Sequence, residues 1–222
     1  GSDYSAAIFA YLLNAEAMYI WKDVPGILNA DPKFYKDAQK LDQISYHDAI
    51  ELAYYGATVI HPKTIKPLEN KNIPLFVKSF LKPEANGTTI RTNVQTKPMI
   101  PSYIFKKNQV LISISAKDFS FIAEDNLSRI FALFAGHGVK IHLMQNSAIS
   151  FSVCVDNDNF KIPALIEALQ KDFKIRYNED LMLYTIRHYY QNTIDTITSG
   201  KEILLEQRSR NTAQFVLRDS IK

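Results

Sequence analysis

Apolar and polar positions divide the first hundred residues into alternating helix-like and strand-like segments. Residues 3–14 are rich in Ala, Leu and Ile and predict a helix, with Ser2 or Asp3 as its cap. The apolar run 17–21 predicts a buried strand, and residues 45–57 predict a second helix that opens with a capping box. Because strands and helices continue to alternate, we expect an α/β fold with a mainly parallel sheet covered by helices.

The pattern changes after a polar stretch with two prolines at residues 91–103. A strand-like segment at 109–115, an amphipathic helix at 126–138, two strands around a short turn and a helix at 161–173 follow in the order β-α-β-β-α. A shorter and weaker copy of this order then begins. We predict an α/β region at 1–94 and an α+β region at 95–222, with ferredoxin-like (βαββαβ) units at about 108–178 and 179–222.

Composition and charge exclude several classes of function. The 222 residues carry a net charge of +3, and Lys and Arg are scattered, so nothing indicates nucleic-acid binding. The sequence contains no apolar run of about eighteen residues, so no membrane-spanning helix is predicted. Cys154 is the only cysteine, which favours a small buried hydrophobe in a reducing cytoplasm over a disulfide or a reactive thiol.

Motifs in the front third resemble the C-terminal part of the aspartate kinase catalytic domain. They are GSDYSAA, WKDVPGILNADPK and the long run ISYHDAIELAYYGATVIHPKTIKPLENKNIPLFVKS, closed by PEANGTTI. The rest of the chain is similar to the tandem ACT regulatory units of the same family. The resemblance therefore implies the C-terminal portion of an amino-acid-kinase fold followed by two ACT units.

This resemblance also implies an activity. Aspartate kinases transfer the γ-phosphoryl group of ATP, with Mg²⁺, to the side-chain carboxylate of L-aspartate, at the start of lysine, threonine and methionine biosynthesis. The ACT units imply feedback by lysine or threonine and a homodimer. The family's Lys-Phe-Gly-Gly strand and glycine-rich phosphate loops are not in this sequence, so we expect a fragment without kinase activity of its own.

Two other functions compete with this interpretation. The first is an amino-acid-sensing ACT module without catalysis, in which the kinase-like part serves only as a scaffold. The second is a glutamate-directed kinase of the same fold, which the segment HPKTIKPLENKNIP and the ACT-like units fit less well.

The resemblance assigns substrate and nucleotide contacts to the front third. Ser2 and Asp3 would face the amino acid, with Asp3 meeting its α-ammonium group, although a plain helix cap is the structural alternative. The residues that would line the nucleotide pocket are Lys22, Asp23, Leu28, Lys33 and Thr58.

Several of these residues depart from the family pattern. Lys22 replaces a threonine, Leu28 an aromatic residue and Lys33 an arginine, which loses bidentate phosphate geometry. Thr58 stands where many relatives place a phosphate-contacting lysine, and Lys22 is a candidate source of that charge. Asp23, like Asp31, has the alternative role of fixing a turn.

An amino-acid effector is expected at the first ACT unit, where the loop 118–127 leads into a helix N-terminus that suits an α-carboxylate. Lysine-sensing relatives carry acids near the positions of His142 and Ala148, so lysine is not assured. Asn146 and Ser147 have the alternative role of a hairpin turn. The predicted effector contacts are Asp118, Asp125, Gln145, Asn146, Ser147 and Ser150.

The histidines do not predict a metal site. His61 precedes a proline at a helix start and is interpreted as structural. His137 and His142 lie close in sequence but have no cysteine pair beside them. No metal site is therefore predicted.

Overall fold

The computed structural model describes residues 1–57, 60–118 and 120–219, and the chain divides into two compact units. Unit 1 comprises Gly1–Ile104 and Ile186–Thr193, and unit 2 comprises Phe105–Thr185 and the chain from Ile194 onward. This division places 95–104 in unit 1 because the side chain of Ile104 belongs to the unit 1 core. The described helices include none with the length and apolar character needed to cross a membrane.

Unit 1 contains a four-stranded sheet with the strand order β1-β3-β4-β2. Two of its pairings, β1 with β3 and β2 with β4, are parallel, and β3 with β4 is antiparallel. This arrangement confirms the predicted α/β class. The elements are α1 (Ser2–Leu12), β1 (Met18–Lys22), β2 (Gln43–Ser45), α2 (Tyr46–Tyr55), α3 (Pro62–Asn70), β3 (Leu75–Ser79) and β4 (Thr88–Arg91).

The two predicted caps have different outcomes. Ser45 caps α2, since its Oγ accepts a hydrogen bond from the Asp48 N–H at 3.0 Å, which confirms the side-chain cap of the predicted capping box. The cap of α1 is Gly1, with no side-chain cap bond, so the prediction of Ser2 or Asp3 as the cap is wrong. Both residues lie in the first helical turn instead, because the helix begins at Ser2.

The core of unit 1 lies on one face of its sheet. Met18 and Ile20 of β1 and Leu75 and Val77 of β3 alternate with outward-facing residues and are all buried. They pack with apolar side chains of α1, α2 and α3. The helix layer thus covers this face of β1 and β3.

Unit 2 contains most of a six-stranded sheet in the order β6-β7-β5-β8-β10-β9, with helices packed on it. The β-α-β-β-α order of its first part confirms the predicted α+β region. Strands β5 and β8 are longer than predicted: β5 begins at Ser102, within unit 1, and β8 begins at Phe173, within unit 2. The elements are β5 (Ser102–Ala116), α4 (Glu124–Gly136), β6 (Ile141–Asn146), β7 (Ser150–Asp156), α5 (Lys161–Gln170), β8 (Phe173–Arg187), α6 (Gln191–Thr198), β9 (Lys201–Arg208) and β10 (Thr212–Asp219).

Candidate functional site

An ion pair joins the first turn of α1 to the end of β1. Lys22 Nζ lies 2.9 Å from Asp3 Oδ2, and both side chains are half-buried. Lys22 is the last residue of β1, at the carboxyl end of a strand that pairs in parallel with β3. Ligands of open α/β sheets bind at this end of the strands. The structure thus brings a predicted substrate residue and a predicted nucleotide residue into direct contact.

The loop after β1 is held by a Pro-Gly turn against β4. Gly26 has φ of +148°, and a Cβ there would lie 2.5 Å from Thr88 Oγ1, so only glycine fits without strain. The next residue, Ile27, donates its N–H to the same hydroxyl at 2.8 Å, and that hydroxyl donates to the Leu41 carbonyl. The two ends of the loop are therefore fixed to one buried threonine.

Three of the other predicted nucleotide residues, Asp23, Leu28 and Lys33, are spread along this loop. Asp23 is exposed in the bend after β1, and Leu28 is half-buried in an isolated bridge with Lys40. Lys33 is exposed, and its N–H donates to Asp31 Oδ1 at 2.9 Å, which confirms the turn-fixing alternative for Asp31. Thr58 lies outside the described residues.

In unit 2, a backbone hydrogen bond joins the two parts of the predicted effector site. Ile122 donates its N–H to the Ala148 carbonyl at 3.0 Å, which ties the loop before α4 to the turn between β6 and β7. Asp125 lies in the first turn of α4, whose N-cap Ala123 offers no side-chain cap bond. The N–H groups of this turn therefore have no capping side chain to satisfy them.

The polar side chains of this predicted site differ in their hydrogen bonding and exposure. Ser147 Oγ lies 2.7 Å from Ser150 Oγ, and the Ser147 N–H donates to the Ser150 carbonyl at 2.8 Å, so Ser147 serves the turn. Gln145 and Asn146 are exposed at the end of β6. Asp118 is exposed, and hydrogen bonds from Ser120 lower the pKa of its carboxyl group.

His142 takes part in a chain of polar contacts at the Asp156 end of β7, the end opposite the 147–150 turn. Its Nε2 lies 2.8 Å from Asp156 Oδ2, and Gln109 Nε2 donates to the other oxygen of that carboxylate at 2.8 Å. Burial lowers the pKa of His142, which favours the neutral imidazole. Gln109 Oε1 accepts from the Cys154 thiol, and burial raises the pKa of that thiol to about 12. Cys154 is thus a buried thiol without thiolate character.

A charged cluster in unit 1 was not predicted from the sequence. Arg187 contacts Asp48 and Glu51, which lie three residues apart on α2, and the Thr96 hydroxyl donates to Asp48 at 2.6 Å. The helical spacing of the two acids was a usable signal for a shared partner. The sequence gives no signal for which of the many cations pairs with them.

No metal centre emerges from the part of the chain that the structure describes. Among residues 1–57, 60–118 and 120–219, no three His, Cys, Asp or Glu side chains are grouped so that they could hold an ion. His61 instead caps α3, with its Nδ1 accepting from the Lys63 N–H at 3.1 Å.

Comparisons with known proteins give a consistent family. The Amino acid kinase family profile matches residues 1–79. The lysine-sensitive aspartokinase 3 of Escherichia coli K12 is 30% identical over 193 residues, which are 84% of this chain and 43% of that protein. The bifunctional aspartokinase/homoserine dehydrogenase of Haemophilus influenzae is 34% identical over 182 residues, 81% of this chain and 22% of that protein.

Solved structures show the same likeness. Aspartate kinase from Clostridium acetobutylicum has a TM-score of 0.84 at 25% identity, covering 98% of this chain and 54% of that chain. Aspartokinase III of E. coli, solved in complex with lysine and aspartate, has a TM-score of 0.79 at 26% identity, covering 97% of this chain and 51% of that chain. The chain spans less than half the length of the curated relatives above and about half of these solved chains.

Proposed function

Because this chain belongs to the aspartokinase family and matches its C-terminal region, we propose that it forms part of an aspartate kinase. The reaction is transfer of the γ-phosphoryl group of ATP to the side-chain carboxylate of L-aspartate, at the start of lysine, threonine and methionine biosynthesis. The observation that carries the proposal is the Asp3–Lys22 pair at the carboxyl end of β1. It places one anionic and one cationic group where ligands of α/β sheets bind.

The two charges suit the two substrates. The Asp3 carboxylate is complementary to the α-ammonium group of aspartate, and Ser2 in the same helical turn adds a hydroxyl. Lys22 is complementary to a phosphate or a carboxylate, and phosphoryl transfer between two anions depends on such positioned cations. Asp3 and Lys22 neutralise each other in the substrate-free chain, so a bound ammonium group competes with Lys22 for Asp3.

The loop between β1 and β2 supplies the nucleotide side of the proposed site. Asp23, Leu28 and Lys33 lie along it, and its ends are fixed on Thr88. Mg²⁺ would enter with the phosphates of ATP, because it keeps several waters and binds through few protein ligands. Its role is to neutralise charge on the transferred group.

The test is kinetic, in an enzyme that carries this chain within a complete kinase domain. Asp3→Ala is expected to raise the KM for aspartate by about tenfold to a hundredfold, the effect of losing one charged hydrogen bond. The KM for MgATP should stay close to the wild-type value. Asp37→Ala, at an exposed carboxylate of the loop, is the matched control. An unchanged KM for aspartate in the Asp3 variant would overturn the assignment.

A specific observation also favours the second candidate function, amino-acid sensing by unit 2. The Ile122–Ala148 hydrogen bond places the loop before α4 beside Ser147 and Ser150, next to an uncapped helix N-terminus. We propose that lysine or threonine binds there, with its α-carboxylate at the helix N-terminus and its ammonium group near Asp118 or Asp125. Asn146 and Gln145 provide amide groups at the rim.

A thermal-shift panel of lysine, threonine and methionine tests this sensing function. One amino acid is expected to raise the melting temperature, and Ser147→Trp should abolish that shift because the bulky ring fills the space beside Ser150. Ser209→Trp, at an exposed turn in the same unit, is the control and should keep the shift. A Ser147→Trp protein that still responds fully would show that the effector binds elsewhere.

The proposal also includes a homodimer formed through unit 2. Strands β6 and β9 end the six-stranded sheet, and exposed apolar side chains such as Met144 and Ile149 lie at and beside β6. Unpaired edges and apolar surface favour association. Light scattering should give twice the chain mass of 25.4 kDa at tens of micromolar, and a monomer only would contradict this.

A further inference from the structure

The connection between β3 and β4 contains the one Asn-Gly step of the sequence, Asn86-Gly87. Asn86 is exposed and Gly87 is half-buried in this connection. An asparagine followed by glycine is well suited to spontaneous ring closure, because glycine has no Cβ to hinder the approach of its backbone nitrogen to the asparagine side chain. The step therefore combines the residue types that this chemistry needs with access to water.

The ammonium group of Lys40 contacts this step directly. Lys40 Nζ donates to the Asn86 carbonyl at 2.8 Å and to the Gly87 carbonyl at 3.1 Å. It also lies 2.7 Å from Asp42 Oδ1, and only 25% of the Lys40 side chain is exposed. Because an ammonium group has three N–H donors, these three oxygens fix its position. The cation is thus held against the peptide group that joins Asn86 to Gly87.

A cation at this carbonyl makes the Gly87 nitrogen a better nucleophile. When the Gly87 N–H loses its proton, the negative charge is shared between the nitrogen and the Asn86 carbonyl oxygen, because the two atoms belong to one conjugated peptide group. A positive group beside that oxygen favours the charged form, and a positioned donor lowers the barrier where charge develops. Lys40 therefore promotes the deprotonation that precedes attack.

The Gly87 N–H is not engaged in another contact. Among residues 1–57, 60–118 and 120–219, it donates no hydrogen bond. The exposed Asn146-Ser147 step differs, because the Ser147 N–H donates to the Ser150 carbonyl at 2.8 Å. That bond must break before the Ser147 nitrogen can react. The Asn146-Ser147 step is therefore a matched comparison within the chain, with an exposed asparagine but an occupied nucleophile.

We propose that Asn86 is a site of spontaneous deamidation that Lys40 promotes. Base from the solvent removes the Gly87 amide proton, and the Gly87 nitrogen attacks Cγ of Asn86. The Cγ–Nδ2 bond breaks, and Nδ2 takes up a proton from water and leaves as ammonia, so that a succinimide ring remains. Water then opens either C–N bond of the ring and gives aspartate or isoaspartate at position 86. The net reaction consumes one water molecule and releases one ammonia molecule.

The modification has a structural consequence because Gly87 is closely packed. A Cβ on Gly87 would lie 1.9 Å from the Val77 carbonyl oxygen, so β3 leaves no room on that side. Isoaspartate routes the main chain through the side-chain carbons and lengthens it by one methylene group just before Gly87. The neighbouring Thr88 hydroxyl, which bonds to both Ile27 and Leu41, would be displaced. The isoaspartate form is therefore expected to melt at a lower temperature than the aspartate form.

Ageing of the whole chain in a mildly alkaline buffer tests the proposal. Proteolysis and mass spectrometry measure the amide-to-acid mass gain at each asparagine, and a methyltransferase specific for isoaspartate, with S-adenosylmethionine, measures the isoaspartate formed. Asn86 is expected to react well before Asn146. Asn86→Gln should remove the signal at this position, because the larger ring that glutamine forms closes more slowly. The measurement needs no kinase activity, so its result is independent of the proposed function.

Variants at Lys40 isolate the role of the cation. Lys40→Met keeps an unbranched side chain without the charge, and the rate at Asn86 should fall by about tenfold, the effect of losing one charged hydrogen bond. Lys40→Arg keeps the charge and should restore most of the rate. In guanidinium, where Lys40 and Asn86 are no longer held together, all three proteins should react at the same rate. Circular dichroism in buffer verifies that each variant is folded.

Three results would overturn the inference. One is a reaction at Asn146 that is as fast as that at Asn86 in the folded wild type. Another is an equal or higher rate at Asn86 in the folded Lys40→Met protein, which would show that Lys40 only restrains the connection. The last is a slower reaction of Lys40→Met that persists in guanidinium, because the contact in the folded chain would then not be its cause.

Discussion

Arg187 Nη2 lies 2.7 Å from Asp48 Oδ1, and Nη1 of the same guanidinium lies 3.2 Å from Glu51 Oε2. The Arg187 and Asp48 side chains are only 6% and 15% exposed. The contact joins residues that are far apart in sequence but lie in the same unit, because the segment Ile186–Thr193 packs with unit 1. Arg187 therefore fixes this returning segment to the N-terminal turns of α2.

Arg187→Met tests that role. The variant keeps the apolar stem of the side chain but leaves Asp48 buried without its guanidinium, and the expected loss is about 3–5 kcal/mol in the free energy of unfolding. Urea denaturation measures it. The control is Arg218→Met at the more exposed pair with Glu202, where the expected loss is below about 1 kcal/mol. Equal losses in the two variants would show that the Arg187 ion pair stabilises the fold no more than the exposed Arg218 pair does.

The lowered pKa of the Asp48 carboxyl group leads us to expect that acid destabilises the protein. Burial alone would raise its pKa, but hydrogen bonds from His188, Thr96 and Arg187 outweigh burial and hold the pKa well below the usual range. A folded-state pKa below the unfolded one stabilises the fold above the unfolded pKa of about 3.9, and this stabilisation is lost as the pH falls further.

Asp48→Asn removes this titration. At pH 7 the variant should be less stable than the wild type by about 2–4 kcal/mol. The difference should narrow as the pH falls below about 4, because Asp48 of the wild type then binds a proton in the unfolded state while it stays ionised in the folded state. Guanidinium denaturation of both proteins, at pH 7 and at several pH values below about 4, measures the difference in the free energy of unfolding. A difference that stays constant over this range would mean that the carboxylate charge is not what stabilises the cluster.

Periodic patterns allowed most of the fold to be predicted. The helix 126–138 and the strand 109–115 could be predicted because apolar residues recur at a regular spacing along each segment. The structure has α4 and β5 at these positions. Strand β2 was missed, since its three residues, Gln43–Ser45, are too few for any period. The long ends of β5 and β8 were missed because polar residues interrupt their alternation.

The candidate site could be predicted only in part. The motif resemblance pointed to both Asp3 and Lys22, but not to their contact, because a pairing across nineteen positions leaves no local pattern. The Arg187 cluster shows the same limit over a longer separation. Turn roles such as that of Asp31 were foreseen, since they depend on residues only two positions apart.

The Cys154 thiol is expected to be inert in the folded protein. It is fully buried, its neighbour is the Gln109 amide, and burial raises its pKa to about 12, so the thiolate is scarce at neutral pH. A disulfide reagent such as DTNB should react slowly with the native protein and rapidly in guanidinium. Rapid reaction at native conditions, without loss of the fold, would contradict this burial.

The chain by itself is expected to have no aspartate kinase activity. Asp23, Leu28 and Lys33, proposed to contact the nucleotide, lie along one loop, while the relatives contain more than twice as much chain as the matched segment. Phosphoryl transfer requires several positioned cations and backbone donors around the phosphates. Hydroxamate detection of aspartyl phosphate, with MgATP and aspartate, should give the value of a buffer blank. Product above that blank would show that the additional chain of the relatives is dispensable for catalysis.

The last prediction concerns the Asp3–Lys22 pair in an enzyme that carries this chain within a complete kinase domain. Lys22→Thr frees Asp3 from its internal partner, so in the proposed site the α-ammonium group of aspartate would no longer compete with Lys22. The KM for aspartate should fall by about threefold to tenfold, since a half-buried pair contributes about 1 kcal/mol.

The same substitution should act oppositely on the nucleotide. If Lys22 supplies a cation to the phosphates, its loss raises the KM for MgATP while the KM for aspartate falls. Lys22→Arg keeps the charge and should leave both constants near the wild-type values. A rise in the KM for aspartate would show that Lys22 contacts that substrate directly, and unchanged values for both substrates would remove Lys22 from the site.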